Sequence, residues 1–208
     1  MKKSILIIAI LFCQNTFCQS YTFDRFIQYN SDSSARTIFM FNSKDSSYYF
    51  IARSYDKEIT GNIIEVENKV RHRFSVTNIK NAVQFEYLDS SIETESKVFC
   101  PDKYNVFEVI KTPFDSLNTD FTVLKYKNSE KKKIIQSSNI KAVKSEIPIF
   151  SLMMKKFFYH FIYCQKIDFP ENYLPTSVEI DYYNGIKTRD RLMQNKEISV
   201  VLSVNKKM

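Results

Sequence analysis

The sequence predicts a mainly β protein, an antiparallel meander of about ten strands curled into a half-barrel or sandwich, with one amphipathic helix packed on the concave face. Between residues 21 and 126, short segments rich in β-branched and aromatic residues are separated by clusters of Ser, Asn, Asp and Lys. Asn184-Gly185 lies between two later segments and is the strongest two-residue hairpin signal in the chain. A sheet of that many strands with one apolar face has to curl or pair with a second sheet.

The alternation of apolar and polar residues gives the strand positions. His72, Phe74 and Val76 share one phase while Arg71 and Arg73 share the other, so one face of this strand is expected to be buried. Residues 83–87 repeat the pattern. Strands are predicted at residues 23–29, 36–41, 48–54, 59–67, 70–76, 83–87, 104–110, 121–127, 177–183, 186–193 and 198–204.

After Ser145 the apolar residues recur at spacings of three and four, which predicts a helix over residues 149–163. Pro148 stands where the first turn of a helix tolerates proline. The apolar stripe of this helix either completes the core or closes over a cavity that receives a hydrophobic ligand. In the second case the candidate ligand-binding residues are Met153, Met154, Phe157, Phe158 and Phe161.

The first eighteen residues are predicted to be a cleaved secretory signal peptide. Lys2 and Lys3 precede an apolar run over residues 5–12, and a polar segment follows. The run is shorter than the roughly 20 apolar residues that a membrane helix needs. Cys13 and Cys18 each follow a Phe and not the small residue of a lipoprotein signal, so a lipid anchor is the alternative and a soluble, exported chain the expectation.

One domain over residues 19–208 is expected for a mature chain of about 190 residues. Residues 147–163 are the next most apolar stretch, but lysines interrupt it, so no transmembrane segment is expected in the mature chain. Loss of Lys2 and Lys3 lowers the formal net charge from +7 to +5, which is too moderate to indicate nucleic-acid binding.

The basic residues are densest around one predicted hairpin turn. They are Lys125, Lys127, Lys131, Lys132 and Lys133. This basic surface is either a solvated turn or a contact surface for anionic lipid headgroups or an acidic partner.

Cys100 and Cys164 are the cysteines that remain after export, and in an oxidising compartment they are predicted to form a disulfide. Closing that loop would stabilise the fold by roughly 4 kcal/mol in the chain-entropy model. Two separate buried thiols are the alternative, because apolar residues flank both cysteines.

The sequence carries no pattern of catalytic or metal-binding residues. His72 and His160 are the two histidines, and each is expected to be structural. Gly61 and Gly185 are the two glycines, which excludes glycine-rich phosphate loops. The acidic pairs Glu65/Glu67 and Glu93/Glu95 are expected to face solvent. We therefore expect no enzymatic activity, no metal and no cofactor.

Residues 173–181, YLPTSVEID, followed by Asn184-Gly185, resemble the late strand pair of periplasmic lipoprotein-carrier proteins and their outer-membrane lipoprotein-sorting relatives. The resemblance implies an incomplete β-barrel whose apolar concave face, covered by helices, receives an acyl chain. Together with the signal peptide, it indicates an exported protein, periplasmic or extracellular, of a Gram-negative bacterium. The chain differs in having no amphipathic helix directly after the signal.

Two classes of function are open on the sequence. The first is a non-catalytic envelope protein that binds a lipid, a lipid-modified protein or another hydrophobic ligand on the helix-capped sheet. The second is a protein-binding module, an envelope assembly factor or secreted inhibitor, that contacts an envelope protein through edge strands and the basic hairpin.

Overall fold

The computed structural model describes residues 18–33, 35–55, 58–79, 82–92, 105–147, 149–150, 154 and 172–205. These residues form antiparallel strands of one sheet that is not closed, with almost no helix, which confirms the prediction of a mainly β fold. Within the same ranges no helix is long and apolar enough to cross a membrane.

Eleven strands make up the sheet. They are β1 (Cys18–Ser31), β2 (Arg36–Asn42), β3 (Asp45–Tyr55), β4 (Glu58–Glu65), β5 (Val70–Ile79), β6 (Ala82–Ile92), β7 (Val106–Pro113), β8 (Asn118–Tyr126), β9 (Ile134–Lys144), β10 (Tyr173–Asp181) and β11 (Lys187–Asn205). The strand order is β6-β5-β4-β3-β2-β1-β11-β10-β9-β8-β7, so β6 and β7 are the edge strands. Each half of the chain is therefore a meander of sequential neighbours.

Two strands differ from the sequence prediction. The sequence does not predict β9. Two of its buried positions hold the polar residues Gln136 and Ser138, so the strand lacks a regular alternation of apolar and polar residues. β11 is one strand of 19 residues where two were predicted. Residues 194–197 are polar and interrupt the apolar pattern, but no Gly or Pro stands there to end the strand.

Among the described residues, the first of two compact units contains those of the ranges 18–26, 38–92 and 196–205. Buried side chains on one face of its strands form its core: Tyr21, Phe23, Met40, Phe50, Ala52, Ile63, Phe74, Val76, Leu202 and Val204. The opposite face of β2, β3 and β4 is also buried at Phe39, Phe41, Tyr49 and Ile64. This part of the sheet is thus apolar on both sides.

The second unit contains the described residues of the ranges 27–37 and 105–195. The rings of Phe121, Phe150 and Tyr173 pack together in its core, with centroids 4.8 Å apart for Phe121–Phe150 and 5.2 Å apart for Phe121–Tyr173. Pro175 lies inside β10, where the register against β9 shifts. The irregularity accommodates a residue that cannot donate to the ladder, and the buried Tyr29 hydroxyl donates to the Pro175 carbonyl at 2.6 Å.

Several predictions fall on residues outside the described ranges. Phe150 and Met154 are helical and buried, but most of the predicted helix, including Met153, Phe157, Phe158 and Phe161, lies outside those ranges. Cys100, Cys164, His160 and the signal residues 1–17 lie outside them as well. The helix, the disulfide, the signal peptide and the single domain stay predictions.

Candidate ligand-binding face

A continuous array of aromatic rings covers one face of the first unit. We call this surface the aromatic face, and it consists of Tyr21, Phe23, Tyr48, Phe50, Phe74, Phe85 and Tyr87. Neighbouring rings meet edge to face, with centroid distances of 5.6 Å for Phe23–Tyr48, 5.6 Å for Phe50–Phe85 and 5.7 Å for Phe74–Tyr87. Such pairs stabilise by about 1 kcal/mol each beyond the area they bury.

Gly61 of β4 lets the central ring of this face lie directly on the sheet. A Cβ atom at position 61 would stand 2.1 Å from Cζ of Phe50 and 3.1 Å from a methyl group of Val76. Glycine in a strand interior often marks such a close approach. The Phe50 ring can therefore occupy the centre of the aromatic face only because residue 61 has no side chain.

The aromatic face becomes exposed where it reaches the edge strand β6. Phe74 and Val76 of β5 are buried, and their direct partners Tyr87 and Phe85 are half-buried. Farther along β6 on the same face, Val83 is 56% exposed and Ile92 is 73% exposed. An apolar margin made of Val83, Phe85, Tyr87 and Ile92 thus lies open to solvent.

A buried polar cluster terminates the aromatic face at one end. The Tyr21 hydroxyl donates to a carboxylate oxygen of Glu65, and the same hydroxyl lies 2.7 Å from Nε2 of His72. Nε2 of His72 is 3.2 Å from that Glu65 oxygen. The three side chains come from β1, β4 and β5, so the cluster links three strands through groups that water barely reaches.

The cluster extends to the margin of the sheet through Ser90. Nδ1 of His72 lies 2.5 Å from the Ser90 hydroxyl oxygen, which is also 2.7 Å from the Tyr87 hydroxyl. Ser90 is exposed and lies two residues from Ile92. A polar group therefore stands beside the apolar margin at this end of β6.

Hydrogen bonds to its carboxylate control the protonation of Glu65. Burial raises the pKa of this carboxyl, but four donors favour the ionised form more strongly: Tyr21, Asn68, His72 and Gln19. The net effect lowers the pKa of Glu65 to about 2. Burial, together with the hydrogen bond to Glu65, raises the pKa of the Tyr21 hydroxyl. Tyr21 is therefore a donor and Glu65 an acceptor at neutral pH.

The expectation that Glu65 faces solvent is wrong. Glu65 is buried, whereas Glu67 is exposed in the turn that follows β4. The strand phase places Glu65 on the same face as Ile63, where donors from four other positions compensate for burial. His72 lies on the buried phase of β5 as the alternation indicates.

The five lysines of the basic surface do not share one environment. Lys125 is buried, with its Nζ 5.9 Å from the centroid of the Phe107 ring. The other four are exposed in the turn between β8 and β9, which confirms the hairpin. Met154 is the only one of the five predicted ligand-binding residues that lies within the described ranges. Its side chain is buried, with 1% of its surface exposed.

An open groove on the second unit is polar and unlike the aromatic face. Its volume is about 310 Å³, and its lining includes two cross-strand ion pairs, Asp181–Lys187 at 2.9 Å and Glu179–Arg189 at 2.6 Å. Among the described residues, no three His, Cys, Asp or Glu side chains converge as ligands for a metal ion. No protein-family model, curated protein or solved structure matches this chain.

Proposed function

We propose that this chain is an exported, non-catalytic envelope protein that binds the acyl chain of a lipid or of a lipid-modified partner against the aromatic face. The observation that carries this proposal is the apolar margin on β6. Val83 and Ile92 continue the phase of the buried core residues, yet they remain exposed. A face that is apolar across six strands and open at its edge offers a long apolar contact surface to a ligand.

The polar cluster beside the margin fits the chemistry of a lipid. An acyl chain that lies along Val83, Phe85 and Tyr87 ends near Ser90 or Ile92. The oxygen of the exposed Ser90 hydroxyl, held by His72 and Tyr87, can accept a hydrogen bond there. An amphipathic ligand with an apolar chain and a hydrogen-bonding head satisfies both parts of the site.

The predicted signal peptide and the resemblance of residues 173–181 to lipoprotein carriers support the same proposal. An acyl chain in an aqueous envelope compartment needs apolar protein surface, because each exposed CH₂ costs about 0.8 kcal/mol. Both expectations come from residues away from β6, so they are independent of the apolar margin.

Strand addition at the sheet edges, the basis of the protein-binding alternative, is hindered on both edge strands. The register places Leu88 as an extra residue of β6 between the pairs Arg73–Asp89 and Phe74–Tyr87. β7 ends at Pro113. Bulges and prolines on edge strands oppose pairing with another chain, and we therefore favour the ligand-binding function.

The absence of tryptophan gives a direct test. Phe85→Trp introduces a single indole at the margin, and dibromostearate, whose bromine atoms quench indole fluorescence on contact, serves as the probe. We expect saturable quenching that unbrominated stearate competes away. Phe114→Trp, in the exposed turn between β7 and β8 of the second unit, is the matched control and should remain unquenched.

Val83→Asp together with Ile92→Asp should abolish that quenching in the Phe85→Trp protein, because a charge on the margin opposes apolar contact. Val201→Asp is the control, since Val201 is 59% exposed elsewhere in the first unit. Quenching that is equal in the Phe85→Trp and Phe114→Trp proteins, or that survives both margin substitutions, would contradict binding at the aromatic face.

A further inference from the structure

Two turns of the second unit lie side by side at one end of four consecutive strands. Residues 127–133 join β8 to β9, and residues 182–186 join β10 to β11. The order β11-β10-β9-β8 makes them neighbours, and Asp181, which precedes the second turn, pairs with Ser137 of β9. We call residues 127–133 the lysine turn and residues 182–186 the tyrosine turn.

The lysine turn has an excess of positive charge. Lys131 forms an ion pair with Glu108 at 3.1 Å, and Lys132 forms one with Glu130 at 3.1 Å. The Lys132 and Glu130 side chains are 80% and 61% exposed, so water screens that pair. Lys127 and Lys133 are exposed, and neither forms an ion pair with a described residue. The turn therefore presents cations that a partner can neutralise.

The tyrosine turn presents large side chains on a backbone that is already hydrogen-bonded. Tyr182, Tyr183 and Ile186 are 38%, 57% and 56% exposed. The Tyr183 amide donates to Asp181, and the Ile186 amide donates to the Asn184 side chain at 3.0 Å. Backbone amides of this turn thus already have hydrogen-bond acceptors within the protein. This lowers the free-energy cost of removing the turn from water.

The carboxylates near these turns are paired with cations of the same unit. Asp181 pairs with Lys187 at 2.9 Å, and Asp32, in the turn after β1, lies 3.8 Å from Arg191. Tyrosines and lysines together are typical of protein surfaces at the membrane–water interface, where the ring lies at the level of the headgroups and the ammonium contacts phosphate.

We propose that the lysine turn and the tyrosine turn together form a surface that docks on an anionic lipid bilayer. Lys127 and Lys133 contact lipid phosphates, while Tyr183 and Ile186 enter the headgroup layer. Charge complementarity selects this occupant, because anionic lipids attract each nearby lysine while a zwitterionic surface does not. The surface belongs to the second unit and includes none of the residues of the aromatic face.

Vesicle sedimentation tests this proposal. The protein should bind vesicles that contain phosphatidylglycerol more tightly than vesicles of phosphatidylcholine alone, and the difference should shrink as salt is added. Lys127→Gln with Lys133→Gln should weaken binding to the anionic vesicles about 25-fold, since each lysine contributes a factor of about five. The charge-matched control, Lys141→Gln with Lys144→Gln, removes two exposed lysines toward the other end of β9 and should change binding little.

Tyr183→Ser with Ile186→Ser should weaken vesicle binding even at high salt, because these side chains supply the apolar part of the contact. Phe114→Ser with Leu117→Ser removes two exposed apolar side chains from the turn between β7 and β8 and is the matched control.

Three outcomes would exclude membrane docking at this surface. They are equal binding to both kinds of vesicle, equal losses in the test and control variants, and binding to polyglutamate in the same lysine-dependent way without binding to vesicles. The third outcome would identify an acidic protein as the partner. None of these measurements depends on uptake of an acyl chain by the aromatic face.

Discussion

Single residues decide whether the aromatic face can form at all. Gly61 has no side chain, and the Phe50 ring fills the space that a Cβ atom would occupy. Glu65 stays ionised in a buried position because four side chains donate hydrogen bonds to its carboxylate. The sequence alternation of residues 70–76 predicted the burial of His72 and Phe74. It did not predict the burial of Glu65, because the hydroxyl that stabilises this carboxylate belongs to Tyr21, which is 44 positions away in the chain.

We expect Gly61→Ala to destabilise the protein by about 2 kcal/mol, the typical cost of overpacking a core, because the new methyl group displaces the Phe50 ring. Urea denaturation followed by circular dichroism measures this change. Gly61→Ala in a Phe50→Leu background should cost clearly less, and an equal cost in both backgrounds would contradict the proposed clash.

Glu65 should make stability depend on pH in the acid range. Its pKa in the folded protein, about 2, lies below its unfolded value of 4.5. The stabilisation is therefore complete above pH 4.5 and is lost as pH falls from 4.5 to 2, a contribution of about 3 kcal/mol. Denaturant midpoints for Glu65→Gln should be lower than wild type at neutral pH and should vary less in this window. Glu67→Gln, at an exposed position, should follow the wild-type profile.

Irregular elements interrupt the regular ladder at an edge of the sheet and in its interior. Leu88 is an extra residue on β6, and Thr176 is an extra residue on β10 beside Pro175, where the register against β9 shifts. The alternation pattern predicted most strands, because it depends on residues two positions apart. The pattern does not predict the bulges. A bulge depends on how two strands pair, and the sequence of one strand does not determine its register against the neighbouring strand.

Deletion of Leu88 should convert β6 into a regular edge strand without moving Phe85 or Tyr87 to the other face, because the deleted residue is the unpaired one. We expect the deletion variant to self-associate as its concentration rises, since a flat edge offers free backbone groups to another chain. Analytical ultracentrifugation measures this. Leu88→Ser retains the bulge and should sediment as the wild-type protein does; association of both variants would assign the effect to the leucine side chain.

At the scale of the whole molecule, the fold class could be predicted from the sequence, whereas the order of the strands could not. Short alternating segments and the Asn184-Gly185 turn predict an antiparallel meander, because both signals are local. The position of β11 beside β1 depends on pairing between strands at opposite ends of the chain. No local pattern encodes such a pairing, and the same limit applies to the site on β6, whose exposure depends on which strand forms the edge.

The predicted disulfide between Cys100 and Cys164 is a property of the whole chain as well. Cys100→Ser should lower the free energy of unfolding by roughly 4 kcal/mol if the bridge forms. Reduction of the wild-type protein with dithiothreitol should have the same effect, and mass spectrometry after alkylation counts the free thiols. A melting temperature that reduction leaves unchanged would favour two separate thiols.

The central position of β11 has a consequence for biosynthesis. β11 is the last of the eleven described strands to be synthesised, and it lies between β1 and β10. Before it is made, the chain carries two meanders whose inner strands, β1 and β10, lack the neighbour that will join them. Until residue 205 has been delivered, both strands expose backbone groups that attract other chains. Premature termination anywhere in β11 would therefore open the middle of the sheet, so such fragments should depend on chaperones and attract proteases more than fragments that lack an edge strand.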